Sequence, residues 1–298
     1  MKSLKLVMVL GLAAVYSAAN AQSYVFRVLA NKGANEVKSG DTWQPVKTGT
    51  SLNMGDELKI SENASIGLVH QSGKPLEEKK PGVYKVEDLA GRVQGEAGVL
   101  NKYADFMLSK NSAEEKKNRL NATGAAHRGV GIKIFLPESK LANVLNNEVY
   151  IGWDNKEKGP YTILLQNMFG ETLLKQETPE TSLVVDLNNP KLASEPEILV
   201  EIQSKSTGAK ADERYIIKRL PEKEREKIIA GVNELSKEVT LDSELGKLYL
   251  ASYYEQNKLI IDAISAYEQV IKLDPTNPTY REYYDEFLLR NKLKVEIK

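Results

Sequence analysis

The sequence predicts a multidomain β + α protein in which two β-rich segments precede a helical one. From Tyr24 to about Gly91, and again from Gly131 to Leu220, short runs rich in β-branched and aromatic residues alternate with turn residues. From Pro221 onward, apolar residues recur at helical spacing. A chain of 298 residues has room for two or three such domains.

The first 21 residues have the pattern of a secretory signal peptide. Lys2 and Lys5 give a positively charged start, and the apolar run from Leu6 to Val15 is too short to span a bilayer comfortably. Ala19-Asn20-Ala21 supplies the small residues that precede a cleavage site, so we expect cleavage after Ala21. An uncleaved membrane anchor is the alternative.

The amino-acid composition limits which cellular compartments and which classes of partner fit this chain. The chain has no cysteine, which excludes disulfides, thiol catalysis and a lipid-modified N-terminal cysteine. An exported chain of this kind fits a bacterial periplasm, with secretion as the alternative. No later stretch approaches the roughly 18 apolar residues of a membrane span, so we expect no transmembrane segment in the mature chain. The formal net charge is zero, without the basic excess of a nucleic-acid-binding protein.

Residues 22–94 are predicted to form an all-β domain, a small sandwich or roll. Its short strands are expected at Tyr24–Leu29, Trp43–Val46, Glu57–Ile60, Ser65–Val69 and Val83–Val86. The mixed charge run Lys74–Lys80 is interpreted as a solvated turn. Before the strand at Glu57, Gly55 supplies the positive φ that a tight turn requires, and Asp56 caps the turn backbone.

The order of these features resembles the FecR-like domain of the ferric-citrate regulator family. The residues that carry the resemblance are Trp43, Pro45-Val46, Gly49, Leu52, Gly55-Asp56-Glu57-Leu58 and Ala64-Ser65-Ile66-Gly67-Leu68. Signalling members of that family also have a transmembrane helix and a cytoplasmic anti-sigma part. Neither is expected here, so the resemblance implies only the extracytoplasmic module.

Residues 95–129 are predicted to form one helix and then a flexible linker. Val99, Leu100, Tyr103, Phe106 and Met107 lie at helical spacing. The following stretch, 111–127, is polar and alanine-rich, which indicates a domain boundary.

Residues 130–220 are predicted to form a β-sandwich of about seven strands. The expected strands are Ile132–Leu136, Glu148–Trp153, Pro160–Gln166, Leu173-Leu174, Ser182–Leu187, Glu197–Ile202 and Arg214–Arg219. That number in roughly 90 residues fits an immunoglobulin-like (Ig-like) or fibronectin-like sandwich, and Trp153 resembles the core tryptophan of such folds.

Residues 221–298 are predicted to be helical. Pro221 and the acidic residues after it indicate a helix start. We expect four helices, at about 222–238, 242–256, 259–272 and 277–292. Asp274-Pro275 stops the third, because the residue before a proline is disfavoured in the α region.

The stretch from Glu244 to Pro275 resembles a tetratricopeptide repeat (TPR). The matching positions are Leu250, Ala251, Tyr254, Ala263, Tyr267 and Pro275. Lys247 stands where the family often has tryptophan, and Ala251 replaces its glycine. Ala263 is small where the two helices are expected to cross closely. The resemblance implies a non-catalytic protein- or peptide-binding module; an ordinary helical hairpin is the alternative.

Stacking like that of TPR relatives would place six residues on a concave, partner-binding face. They are Leu248, Ser252, Glu255, Gln256, Glu282 and Glu286. A solvated acidic face is the alternative interpretation. On this hypothesis, replacing the three glutamates with lysine abolishes partner capture without unfolding the chain.

No catalytic or metal-binding motif is recognisable. His70 and His127 fall in different predicted modules without a neighbouring ligand set, and no Gly-rich phosphate loop, HExxH or GxSxG pattern occurs. We therefore predict no enzyme activity, no cofactor and no metal. A hydrolase would need a pocket with convergent polar groups.

Together these observations predict a non-enzymatic periplasmic scaffold or adaptor that binds an envelope protein or peptide through its TPR-like helices. The alternative is a sensory or regulatory module that binds a small ligand or envelope component through the FecR-like domain.

Overall fold

A computed structural model describes residues 24–93, 98–122, 131–211 and 213–294. The predicted signal peptide and its cleavage site lie outside the described residues. The described chain contains both β-sheets and α-helices, as the predicted β + α class requires. Within these ranges no helix is long and apolar enough to cross a membrane.

Eight strands build the first β module, residues 24–93. They are β1 (Phe26–Lys32), β2 (Glu36–Ser39), β3 (Thr42–Pro45), β4 (Ser51–Leu52), β5 (Glu57–Ile60), β6 (Ser65–His70), β7 (Pro75–Glu78) and β8 (Gly82–Lys85). They form two four-stranded sheets, ordered β4-β1-β6-β7 and β3-β2-β5-β8. Every strand pair is antiparallel. Phe26, Leu58 and Leu68 belong to the buried core that these strands share.

Two local predictions for this module have different outcomes. The turn before β5 is confirmed, because Gly55 has a φ of +88° and the Asp56 carboxylate accepts a hydrogen bond from the Asn53 amide at 2.7 Å. The prediction of a solvated turn at Lys74–Lys80 is wrong, because β7 occupies most of that stretch and pairs with β6. Glu78 is buried there, and an ion pair with Arg92 at 2.7 Å satisfies its charge.

Three helices follow the first β module. They are α1 (Val86–Gly91), α2 (Leu100–Lys110) and α3 (Ala113–Ala122). The predicted helix corresponds to α2, which buries Leu100, Tyr103 and Met107. Residues 113–122, expected within the flexible linker, form α3 instead. The rest of that linker, 123–130, lies outside the described residues.

Seven strands build the second β module, residues 131–220. They are β9 (Leu141–Val144), β10 (Glu148–Gly152), β11 (Tyr161–Gln166), β12 (Thr172–Thr178), β13 (Ser182–Asp186), β14 (Glu197–Ser204) and β15 (Tyr215–Arg219). A five-stranded sheet has the order β12-β11-β14-β15-β9, and β10 pairs with β13 in a second sheet. The predicted strand at Ile132–Leu136 makes only isolated bridges, whereas β9 was not predicted. Trp153 is buried in the core of this module.

The C-terminal part forms four helices close to the predicted positions. They are α4 (Glu222–Ser236), α5 (Glu244–Gln256), α6 (Ile260–Leu273) and α7 (Pro278–Arg290). Side chains cap two of these starts: before α5 the Ser243 hydroxyl accepts from the Gly246 amide at 3.0 Å, and before α7 the Asn277 side chain accepts from the Thr279 amide at 3.1 Å. We call α5 and α6, with the three-residue connection between them, the central hairpin.

The central hairpin lies in the interior of the molecule. Ten of the 13 residues of α5 and ten of the 14 residues of α6 are buried, so neither helix keeps an open face. Residues of α5 share an apolar cluster with α2 and with Leu29 and Val69 of the first β module. On α6, Ile261 belongs to the core of the second β module. The hairpin therefore packs between the two β modules.

Candidate interaction site

The predicted partner-binding face of α5 is covered by α2. Leu248 and Ser252 are both buried, and the Ser252 hydroxyl lies 3.4 Å from the Tyr103 carbonyl oxygen, to which it donates. The Tyr103 ring meets Tyr253 edge-on, with their centroids 5.7 Å apart. Helix α2 thus covers the part of this face on which a partner was predicted to bind.

Glu255 has a structural partner inside the chain. Its two carboxylate oxygens accept from the Arg290 guanidinium at 2.7 and 2.6 Å, and the Asn291 amide donates to it at 2.8 Å. Both side chains of the pair are largely buried. Such a two-point contact connects α5 to the end of α7, and its loss would leave a buried charge without compensation.

The remaining three predicted residues lie nearer the surface. The Gln256 amide lies 3.5 Å from the Ser252 hydroxyl, and the side chain is exposed. On α7, Lys116 of α3 forms an ion pair with Glu282 and lies 3.9 Å from Glu286. The structure therefore brings Glu282 and Glu286 together beside one lysine, whereas Leu248, Ser252 and Glu255 are enclosed.

The opposite face of the hairpin carries a polar contact with the second β module. Asp262, at the start of α6, accepts hydrogen bonds from the amides of Leu145 and Asn146 at 2.9 and 2.8 Å, and from the Asn146 side chain at 2.8 Å. Burial raises the pKa of Asp262 to about 6, and these hydrogen bonds oppose the rise. Sequence reasoning missed this residue, because an acid in the first turn of a helix is also the ordinary surface choice.

A cleft separates α6 and α7 from the second β module. It encloses about 290 Å³. Its lining includes Phe135, Asp154, Glu268, Arg281 and Tyr284. Burial raises the pKa of Glu268 and that of Asp154, which shows that both carboxyl groups are partly removed from water. The lining comes from distant parts of the sequence, and no local motif pointed to it.

A second cavity of about 400 Å³ lies between the first β module and the α2–α3 segment. Arg27, Thr48 and Asn111 are among the residues that line it. Among the described residues, the Arg27 Nε donor and the Asn111 Oδ1 acceptor are buried without a hydrogen-bond partner. Both atoms are shielded from solvent, so a ligand in the cavity would reach them only after the surrounding side chains move.

His70 is not part of the lining of either cavity. His70 ends β6, where its ring meets Phe26 edge-on at 5.2 Å, and burial lowers its pKa. His127 lies outside the described residues. Within the described ranges no cluster of histidine, aspartate and glutamate has the geometry to hold a metal ion.

Among the described residues, the candidate sites are thus of two kinds: surfaces between elements that the chain itself occupies, and cavities with polar groups in their lining at the boundaries of the modules. Comparison of the sequence with protein-family models and with curated proteins found no match.

Proposed function

We propose that this chain is a non-enzymatic scaffold or adaptor of the bacterial envelope, exported to the periplasm, which binds an envelope protein or peptide at its helical end. In this proposal the first β module is FecR-like, the second is an Ig-like sandwich and the central hairpin is TPR-like. The module boundaries follow the predicted domains 22–94, 130–220 and 221–298.

The position of the central hairpin carries the proposal. A helical pair that contacts a β module on each side keeps both at a defined separation and orientation, which is the task of a scaffold. The burial of α5 and α6 supports this arrangement, because apolar contacts on every side leave the hairpin little freedom to move.

The exposed side of α7 is the partner surface that we favour. Glu282 is 55% exposed, whereas Glu286 and Lys116, which lie beside it, are 13% and 27% exposed. Because Glu282 is open to solvent, its ion pair contributes little to stability, and a basic partner segment could replace Lys116 there at small cost. Leu248, Ser252 and Glu255 would then support this surface from inside without touching the partner.

A pull-down from cross-linked envelopes tests the partner surface. We expect the Glu282→Lys variant to lose a partner that the wild-type chain captures. The matched control is Glu222→Lys on the exposed face of α4, which changes the charge equally and should keep the partner. Glu255 and Glu286 are left intact, since both side chains are largely buried and a lysine there would face Arg290 or Lys116. Equal capture by both variants would refute binding at α7.

A sensory module that binds a small ligand is the second candidate. The cavity beside the first β module supports it, because the polar side chains of Arg27 and Asn111 belong to its lining. A thermal-shift screen of polar metabolites should then find a stabilising compound whose effect disappears in Asn111→Ala. A scaffold without a ligand site would give no shift with any compound.

A further inference from the structure

Strand β12 has an open outer edge. It ends the five-stranded sheet, and within the described ranges no strand pairs with its outer side. With seven residues it is the longest edge strand of the described sheets. Proteins usually protect such an edge, because its unpaired amide and carbonyl groups can pair with another chain.

The charges of β12 suit pairing with a second copy of the same strand. Lys175 and Glu177 are exposed and two residues apart, so they lie on one face of the sheet. In an antiparallel pair centred on Gln176, each Lys175 stands opposite Glu177 of the other copy. Centring the pair on Lys175 or on Glu177 would instead oppose like charges, which is destabilising.

Gln176 itself gives a second, independent reason for this register. Its side-chain oxygen is buried, and no donor among the described residues reaches it. Once both side chains turn toward the two-fold axis at the centre of the pair, the amide nitrogen of one Gln176 can donate to the oxygen of the other, and the reverse. The acceptor thereby gains the partner that it lacks in a single chain.

The same register brings an exposed apolar turn close to the second copy. The turn between β11 and β12 presents Met168 and Phe169, which are 46% and 93% exposed. The Asn167 side chain holds this turn by accepting from the amides of Phe169 and Glu171, each at 3.0 Å. In the antiparallel pair the turn lies just beyond the other copy's β12, beside the stretch that begins at Pro179.

We propose that β12 is a homodimer interface, in which two copies pair antiparallel across a two-fold axis at Gln176 and join their five-stranded sheets into one of ten strands. The interface is separate from the α7 surface of the proposed function, so either can fail without the other.

Cysteine cross-linking gives a direct test, since the chain has no cysteine of its own. Directly opposed residues of an antiparallel pair have Cα atoms about 4.5–5.5 Å apart, within the range of a disulfide. Under mild oxidation we therefore expect Gln176→Cys to give a covalent dimer. Thr172→Cys is the control, because its two copies would lie about 26 Å apart and should stay unlinked.

Charge reversal tests the register in solution by analytical ultracentrifugation. Lys175→Glu and Glu177→Lys should each weaken the dimer about tenfold or more, since each variant opposes two pairs of like charges. The double variant Lys175→Glu/Glu177→Lys should restore it. The proposal is overturned if the wild-type chain is a monomer at the highest concentration it tolerates. Equal cross-linking at positions 172 and 176, or a double variant as weak as the single ones, also overturns it.

Discussion

The two β modules contact the helices in different ways. Leu29 and Val69 of the first β module lie in the same apolar cluster as α5 and α7. Tyrosine hydroxyls add to this contact: Tyr283 donates to the Leu29 carbonyl at 2.7 Å, and Tyr249 donates to the Gly73 carbonyl at 3.1 Å. This contact is a shared core, whose main stabilising contribution is apolar burial.

The second β module, like the first, keeps a core of its own, to which the central hairpin contributes Ile261. Leu145 of this module also lies in the apolar cluster of the helices. The contact with α6 adds buried polar groups: Asp262 accepts from the amides of Leu145 and Asn146, and the Ser265 hydroxyl accepts from the Tyr150 amide at 3.0 Å. Because these hydrogen bonds include a titratable acceptor, we expect this contact to separate more readily than the first and to respond to pH.

Truncation of Tyr249 should have the largest effect. This side chain is fully buried in the shared core, so Tyr249→Ala should lower the free energy of unfolding by about 3–5 kcal/mol. Two tryptophans allow each module to be followed by fluorescence, Trp43 in the first and Trp153 in the second. In single-tryptophan variants, we expect the Trp43 transition to shift together with the loss of helical circular dichroism.

Tyr249→Phe is the control for this experiment. It removes only the hydrogen bond to Gly73 and should cost about 1 kcal/mol. If Trp43 instead reported a transition that Tyr249→Ala leaves unchanged, the first β module would have to be an independent folding unit.

Removal of the Asp262 carboxylate should have the next largest effect. Asp262→Ala leaves the buried amides of Leu145 and Asn146 without an acceptor, which costs about 2–3 kcal/mol in total. Because the second β module has its own core, we expect it to stay folded but to detach from α6. Small-angle scattering should then show a larger radius of gyration while Trp153 stays buried. An unchanged radius would mean that the apolar contacts of Ile261 suffice.

The pH dependence of stability should be of similar size. Burial raises the pKa of Asp262 to about 6 from an ordinary 3.8, so the folded chain binds a proton more tightly than the unfolded chain. The stability contributed by this proton is complete below about pH 4 and is lost as the pH rises through about 6, by about 3 kcal/mol. Urea denaturation across this window measures it.

Asp262→Asn separates this residue from other acids whose pKa burial also raises, such as Glu268 and Asp154. The pH dependence of the free energy of unfolding that remains in this variant comes from those groups. If the variant and the wild-type chain show the same pH dependence, the Asp262 carboxyl does not titrate in this range.

Loss of an exposed ion pair between the first β module and α5 should have the smallest effect. Lys79 lies 2.9 Å from Glu244 and is more than half exposed. Lys79→Ala should therefore change the free energy of unfolding by less than about 1 kcal/mol, because solvent screens the pair. If Lys79→Ala lowers the free energy of unfolding by more than this even at high salt, the lysine acts through packing and not through its charge.

Sequence reasoning located the C-terminal helices well and misjudged what covers them. The boundaries of α4–α7 follow from apolar spacing, capping residues and proline, which are local signals. By contrast, α2 covers Ser252 from a position about 150 residues earlier, and no local pattern states which element will cover a helical face. The hydrophobic pattern also does not distinguish a buried glutamate, such as Glu255 with its partner Arg290, from a glutamate that is exposed to solvent.

The interior position of the central hairpin has a consequence for biosynthesis. The ribosome makes both β modules and α2 before it makes the helices that pack against them. Until the C-terminal helices are synthesised, Leu29, Val69 and the apolar stripe of α2 lack the residues against which they pack. A nascent or truncated chain therefore exposes an apolar surface. We therefore expect the full-length chain to need chaperone protection during its synthesis, and a chain that stops before α5 to aggregate.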